Sequence, residues 1–192
     1  VAKTGFYQVN VHESKPKEIV LYESGDTTTE NVIMAASRME HEITIKMASA
    51  NYMVQDLCFF LKKLGVKIDG IGTSTLKIRG VKEIRKNVTY YPSEDPVESM
   101  TFVAAAVATN SKLTIERVPI DFMELELLKL KKMGLKIEQS EKYKANNGHT
   151  DLVDVTIFKH NGSLKALEEK LYARPFPGLN IDNLPYFVPI AA

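Results

Sequence analysis

Two places in this 192-residue chain carry residue types suited to chemistry: the loop Ser24-Gly25-Asp26-Thr27 and the single carboxylate of Asp182. The loop is small and polar and runs into a helical stretch. Thr27 is followed three residues on by Glu30, a capping-box pattern. Asp95 repeats it with Glu98, and Pro96 stands at the first helical position. Asp182 falls at the matching place of a third such start, after the turn Arg174-Pro175-Phe176-Pro177-Gly178, with Asn180 as a competing cap. Unpaired N–H groups at a helix start are electropositive. A set of such starts facing one cleft favours anionic ligands. Read from residue types alone, Ser24 to Thr27 is equally a turn with a cap, and Asp182 equally an N-cap.

Other reactive side chains offer less. Cys58 lies between Leu57 and Phe59-Phe60 on an apolar helix face, which reads as a buried, inert thiol. His12, His41, His149 and His160 have no ligand spacing. There is no Cys/His metal pattern and no Gly-rich phosphate loop ending in Lys, so neither a metal nor a cofactor is expected.

The elements that must hold these residues come from a repeat. Leu61-Lys62-Lys63-Leu64-Gly65-Val66-Lys67-Ile68-Asp69 returns as Leu130-Lys131-Lys132-Met133-Gly134-Leu135-Lys136-Ile137-Glu138. Upstream, Glu42-Ile43-Thr44-Ile45 returns as Lys112-Leu113-Thr114-Ile115, and Met53 as Met123. One structural unit used more than once is the reading. Periodicity predicts, for the first unit, a strand at 18–22, a helix at 28–39, a strand at 42–47, a helix at 53–64 stopped by Gly65, and a hairpin of 66–69 with 76–79. The second unit reads as a strand at 88–91, an Ala-rich helix at 97–109, a strand at 113–118, a helix at 122–133 ended by Gly134, and a hairpin of 135–139 with 152–158. Its polar loop, 140–150, is expected to be mobile. A third unit opens with a strand at 170–172; residues 161–169 fit a short helix or a linker. The fold class is α/β (α+β), built of βαβαββ units.

Composition narrows the partners. Basic and acidic side chains number 25 and 24, for a net charge of +1, which argues against a nucleic-acid face. Lys62-Lys63 and Lys129 to Lys132 read as solvated helix edges. One cysteine excludes an internal disulfide and suits a reducing, cytoplasmic setting. The longest apolar run, 100–108, is too short to span a membrane. Val1 starts without an initiator Met and the last residues stop in apolar text, so the chain reads as a piece of a longer one.

The segment from Arg174 to Asp182 resembles the corresponding segment of UDP-N-acetylglucosamine enolpyruvyl transferases, members of the enolpyruvyl transferase family. Glu30-Asn31-Val32-Ile33-Met34-Ala35-Ala36, Phe59-Phe60-Leu61-Lys62-Lys63-Leu64-Gly65 and Gly70-Ile71-Gly72-Thr73 ahead of Arg79-Gly80-Val81 resemble the same family. The likeness runs from about Gly5 to the end, carried by order and spacing more than by any single motif. It implies an inside-out α/β barrel type of fold and a reaction without cofactors. The sugar 3-hydroxyl attacks C2 of phosphoenolpyruvate, a tetrahedral ketal forms, and phosphate leaves. Asp182 would be the base at the sugar hydroxyl and a binding residue. Ser24, Gly25, Asp26 and Thr27 would lie along the nucleotide-sugar. The family's acid thiol, and its lysine and arginine phosphate clamps, would lie upstream of Val1. Its chain passes between two lobes near 91–95, so residues 1–93 would close one lobe and 94–192 open the next. The implied partners are the two small-molecule substrates, with no nucleic acid and no membrane.

The chain departs from the family pattern at Pro96, where an arginine is usual, at Leu184-Pro185-Tyr186-Phe187, and at Asp26-Thr27-Thr28, where a carboxylate would repel a diphosphate. A 3-phosphoshikimate enolpyruvyl transferase, or a diverged relative that only binds, therefore stays open beside the first reading. The former needs basic residues for a second phosphate, and the loops here are acidic. Without acid and clamps the isolated chain is expected to be inactive. Phosphate release with both substrates should stay at background, and turnover by the chain alone would overturn that expectation.

Overall fold

Residues 2–3, 5–7, 15–162 and 164–191 are described by a computed structural model of the chain. After a small antiparallel pair, β1 (Ala2–Lys3) and β2 (Phe6–Tyr7), the first unit runs β3 (Glu18–Val20), α1 (Asp26–Ala36), β4 (Glu42–Lys46), α2 (Tyr52–Leu64), β5 (Lys67–Asp69) and β6 (Thr75–Arg79). Its sheet has the order β3-β4-β6-β5, with β3 parallel to β4 and the other pairs antiparallel. On β4 and β6, alternate residues are buried: Ile43 and Ile45, Leu76 and Ile78. Alternation turns one face of the sheet inward. Ile33 and Ala36 of α1, with Val54, Cys58 and Leu61 of α2, cover that face in one apolar cluster.

The second unit runs α3 (Pro96–Ala108), β7 (Leu113–Pro119), a 3-10 turn (Ile120–Phe122), α4 (Glu124–Lys132), β8 (Ile137–Gln139), β9 (Tyr143–Lys144) and β10 (Asp151–Ile157). Its sheet has the order β7-β10-β8, with β9 also on β10. This is the order of β4, β6 and β5 in the first sheet. A separate cluster, including Met100, Val103, Val118, Leu127, Leu130 and Val155, forms its core. The 3-10 turn Leu184–Tyr186 and α5 (Phe187–Ala191) close the chain, with Phe187 and Ile190 packed into that cluster. Among the described residues no helix is long and apolar enough to cross a membrane.

Both predicted glycine stops hold. Gly65 has φ +106° and Gly134 has φ +98°. Each copy makes the same pair of closing bonds, Gly65 N–H to Lys62 O and Val66 N–H to Leu61 O, then Gly134 N–H to Lys131 O and Leu135 N–H to Leu130 O. These satisfy the last carbonyls of α2 and α4. The exposed Lys62-Lys63 and Lys131-Lys132 pairs lie in the last turns, where cations suit the helix dipole.

Several expectations are corrected. Residues 88–91 form no strand. Side chains of α2 take up this segment instead: Asp56 Oδ1 accepts from Tyr90 Oη at 2.6 Å and from Ser93 N–H at 3.2 Å, and Lys63 Nζ donates to Thr89 O at 2.9 Å. The helix expected at 122–133 is broken at Met123, whose φ of −126° separates the 3-10 turn from α4. Residues 170–172 make no strand; the contact there is one parallel bridge, Ala173 to Leu179. Residues 161–169 contain no helix among those described. The loop at 140–150 is tied by β9 and by Asn147 Oδ1, which accepts from the N–H groups of His149 at 2.8 Å and Thr150 at 3.0 Å.

At Gly80 the chain leaves β6 against the end of α1, with Gly80 N–H donating to Met39 O at 2.7 Å. A Cβ there would strike the backbone of Ala36 and Ser37. Backbone cannot swing aside as a side chain can, so Gly80→Ala is expected to cost roughly 1–3 kcal/mol. Urea unfolding should show a lower midpoint at unchanged slope. A parental midpoint would overturn the packing argument.

Candidate functional site

The first sheet delivers α1 and α2 with their N-termini side by side, and the polar loop before α1 sits at that junction. α1 begins at Asp26, with Gly25 as N-cap and no side-chain cap. Thr27 therefore does not cap the helix; it lies exposed in the first turn. The start is shifted because Asp26 and Thr29 are held from the neighbouring loop. Asp26 Oδ1 accepts from Ser49 Oγ, and Oδ2 accepts from Asn51 Nδ2 at 2.9 Å. Thr29 Oγ1 donates to Gly25 O at 2.7 Å and accepts from Ser49 N–H at 2.9 Å. Asn51 in turn caps α2 through Tyr52 N–H at 2.9 Å. The Asp26 carboxylate is thus held by two neutral donors of the protein, which fix its direction and leave its charge in place.

A cleft of about 320 Å³ opens over this junction. Ser24, Gly25, Asp26 and Asn51 form one wall. Ala173, Arg174, Pro175, Phe176, Gly178, Asn180 and Ile181 form the other, with Phe122 between. The Ser24–Asp26 part of the loop thus faces the turn that precedes Asp182. Thr27 and Asp182 are not among the lining residues. Chemically, the cleft combines the short polar loop at the start of α1 and the basic residue Arg174 with apolar and aromatic surface. Such a set suits an anionic ligand with a planar or apolar part.

Asp182 directly follows Asn180 and Ile181 and is exposed. It is not a helix cap: Asn180 Oδ1 takes the Asp182 N–H at 3.0 Å, and the next helical turn starts at Leu184 without a side-chain cap. Among the described residues its carboxylate accepts no hydrogen bond. Asp95 does cap, accepting from Val97 N–H at 2.8 Å, with Pro96 at the first helical position. Asp95 Oδ1 also accepts from Tyr52 Oη at 3.2 Å. Burial, then Asp95, then Asp182 and Asp26, push the Tyr52 phenol well above its ordinary pKa. Of these carboxylates, Asp95 is the one hydrogen-bonded to the phenol among the described residues.

Arg174, Asn51, Phe122 and Phe176 are site residues that pattern reading passed over. The repeat held a signal for one: Tyr52 and Phe122 each precede the matched Met53 and Met123. Their rings meet edge to face at 5.9 Å, and Phe122 meets Phe176 at 5.0 Å. The other reactive side chains are engaged. Burial pushes the Cys58 thiol up to about 12. His41 bonds Pro16 O at 3.0 Å, His149 stacks on Phe59 at 3.8 Å, and His160 bonds Gly162 O. His12 lies outside the described residues.

Removing the Asp26 carboxylate leaves the buried Ser49 hydroxyl and Asn51 amide without an acceptor. Asp26→Ala is expected to lower stability by about 1–3 kcal/mol, with Asp26→Asn recovering part through its remaining oxygen. Chemical unfolding reads this, and parental stability in Asp26→Ala would contradict the network.

Comparison with known proteins agrees with this architecture. The chain is 33% identical over 164 residues to the UDP-N-acetylglucosamine 1-carboxyvinyltransferase of Coprothermobacter proteolyticus, covering 85% of this chain and 35% of that protein. It is 32% identical over 178 residues to UDP-N-acetylglucosamine 1-carboxyvinyltransferase 2 of Clostridium tetani, covering 93% and 39%. The chain thus spans little more than a third of the length of these relatives. The crystal structure of the enolpyruvyl transferase NikO from Streptomyces tendae superposes with a TM-score of 0.70 at 18% identity, over 92% of this chain and 41% of that one. EPSP synthase from Acinetobacter baumannii gives 0.63 at 16%, over 92% and 36%. These two show the shared fold. The family model for EPSP synthase (3-phosphoshikimate 1-carboxyvinyltransferase) matches residues 3–186, and the chain belongs to that family.

Proposed function

We propose that the protein containing this chain transfers the enolpyruvyl group of phosphoenolpyruvate to the 3-hydroxyl of UDP-N-acetylglucosamine, releasing phosphate, in peptidoglycan precursor synthesis. The observation that carries the reading is the cleft between the Ser24–Asp26 loop and the Arg174–Ile181 turn. The names of the curated relatives support the acceptor. In this reading Ser24, Gly25 and Asp26 line the nucleotide-sugar, with Thr27 contributing backbone from the first turn of α1. The diphosphate lies toward the helix start and Arg174, and the base packs on apolar surface. Asp182 takes the proton of the 3-hydroxyl as its oxygen bonds to C2 of phosphoenolpyruvate. An acid outside this chain protonates the vinyl carbon to a methyl group, and the ketal then loses phosphate from C2 together with a proton from that methyl carbon, which restores the double bond.

The lobe boundary falls in this proposal near Ser93, with residues 1–93 ending one lobe and 94–192 beginning the second. The two separate apolar clusters support it. The reaction fits the cytoplasm, where both substrates are made. A shikimate-phosphate acceptor is less suited: beside Arg174 the surroundings are acidic, and a second phosphate calls for more cations.

In the full-length protein, Asp182→Asn is expected to lower kcat roughly 10²–10⁴-fold, the usual range for loss of a general base. Calorimetric affinity for UDP-N-acetylglucosamine should be kept. Parental turnover in that variant would remove the base from the proposal. Tight binding of the sugar nucleotide by a parent that never turns over would point instead to a non-catalytic relative.

A further inference from the structure

We propose that Glu126, a buried carboxylate on α4, is a positioning residue for Asp182; the inference rests on the base role proposed above. Glu126 is 2% exposed within the second core. Its Oε1 accepts from Asn183 Nδ2 at 2.9 Å and from Asn180 N–H at 3.3 Å. Asn180 passes the restraint on, since its Oδ1 accepts from Asp182 N–H at 3.0 Å. Asp182 is therefore bracketed in sequence by two residues fastened to one oxygen.

The turn needs such a fastening. From Pro175 to Asn183 it has one bridge, Ala173 to Leu179, and short-range turn bonds such as Gly178 N–H to Pro175 O. Neither reaches the second sheet. Leu179, which is buried, and Phe176, packed on Phe122, anchor the middle of the turn. The Glu126 bonds tie its far end, next to Asp182, to a helix of the core.

Stability alone does not account for this arrangement. A carboxylate inside an apolar cluster pays desolvation that an apolar residue of similar volume avoids. Asn183 is fully buried and its Oδ1 has no partner among the described residues. Two polar groups are thus kept in the core at a cost, and what they secure is the end of the turn carrying Asp182.

The test uses the full-length protein with phosphoenolpyruvate and UDP-N-acetylglucosamine. Glu126→Leu is expected to melt lower than the parent, because the buried Asn183 amide loses its acceptor, and, assayed at a temperature where it is folded, to lose kcat on the order of 10²-fold, the effect of displacing a reacting group by about an ångström. Calorimetric affinity for the sugar nucleotide should change little. Glu126→Gln, which keeps an acceptor oxygen, should restore most of kcat. A residue that only packs would move the melting point and leave kcat alone. If Glu126→Leu does not fold, Asn183→Leu removes the same bond and carries the same expectation. Parental kcat in the folded Leu variant, with Asp182→Asn inactive, overturns the positioning role and leaves the base intact. Parental kcat in Asp182→Asn removes both together.

Discussion

The hydrogen-bonded carboxylate of Asp26 is the constraint on which the cleft depends. Its two oxygens join the start of α1 to Ser49 and to Asn51, the cap of α2. Two helix N-termini cannot lie side by side without their aligned dipoles repelling; a carboxylate between them offsets that field. The two bonds also fix where the loop before α1 meets the cleft, whose lining includes Ser24, Gly25 and Asp26. A small polar loop without this anchor would form a turn with no fixed direction.

The opposite wall depends on a different kind of contact. Tyr52, Phe122 and Phe176 come from three separate segments and meet ring to ring across the junction of the two units. Aromatic edge-to-face contacts fix orientation as well as burying area. The Tyr52 hydroxyl then reaches the Asp95 cap, so the start of α3 is referenced to the start of α2. Behind the turn, Glu126 supplies the polar counterpart. The cleft is thus held by one buried network on each side and an aromatic seam between them.

Family membership gives these details their meaning, and departures from the family pattern gain a physical reading. Pro96 serves the first position of α3, where its missing N–H has no cost. Leu184-Pro185-Tyr186-Phe187 forms a 3-10 turn leading into α5, and Phe187 is buried in the second core. The bulkier Asp26-Thr27-Thr28 text moves the helix start to Asp26, where the carboxylate serves the junction.

Much of the fold was legible in the chain itself. Alternation in Ile43–Ile45 and Leu76–Ile78, the matched Gly65 and Gly134 stops, and the Asp95-Pro96 start are local signals, and local physics honours them. The family likeness put the Ser24–Thr27 loop and Asp182 on one ligand, without geometry; the cleft brings Ser24–Asp26 to the turn before Asp182 and leaves Thr27 and Asp182 outside its lining. Residues whose state depends on distant partners were not legible. Thr27 lost its cap because Ser49 and Asn51 hold Asp26, and residues 88–91 lost their strand because Asp56 and Lys63 claim their polar groups. Asp182 caps nothing because its own N–H is taken by Asn180 and the helical turn starts later, at Leu184, and the Glu126 carboxylate finds its donor only when Asn183 folds against it. Periodicity and capping patterns act within a few residues of the chain, so sequence alone determined the elements. Hydrogen bonds between side chains dozens of residues apart form only when the core closes, so tertiary structure decided which distant donors hold the carboxylates of Asp26, Asp56 and Glu126.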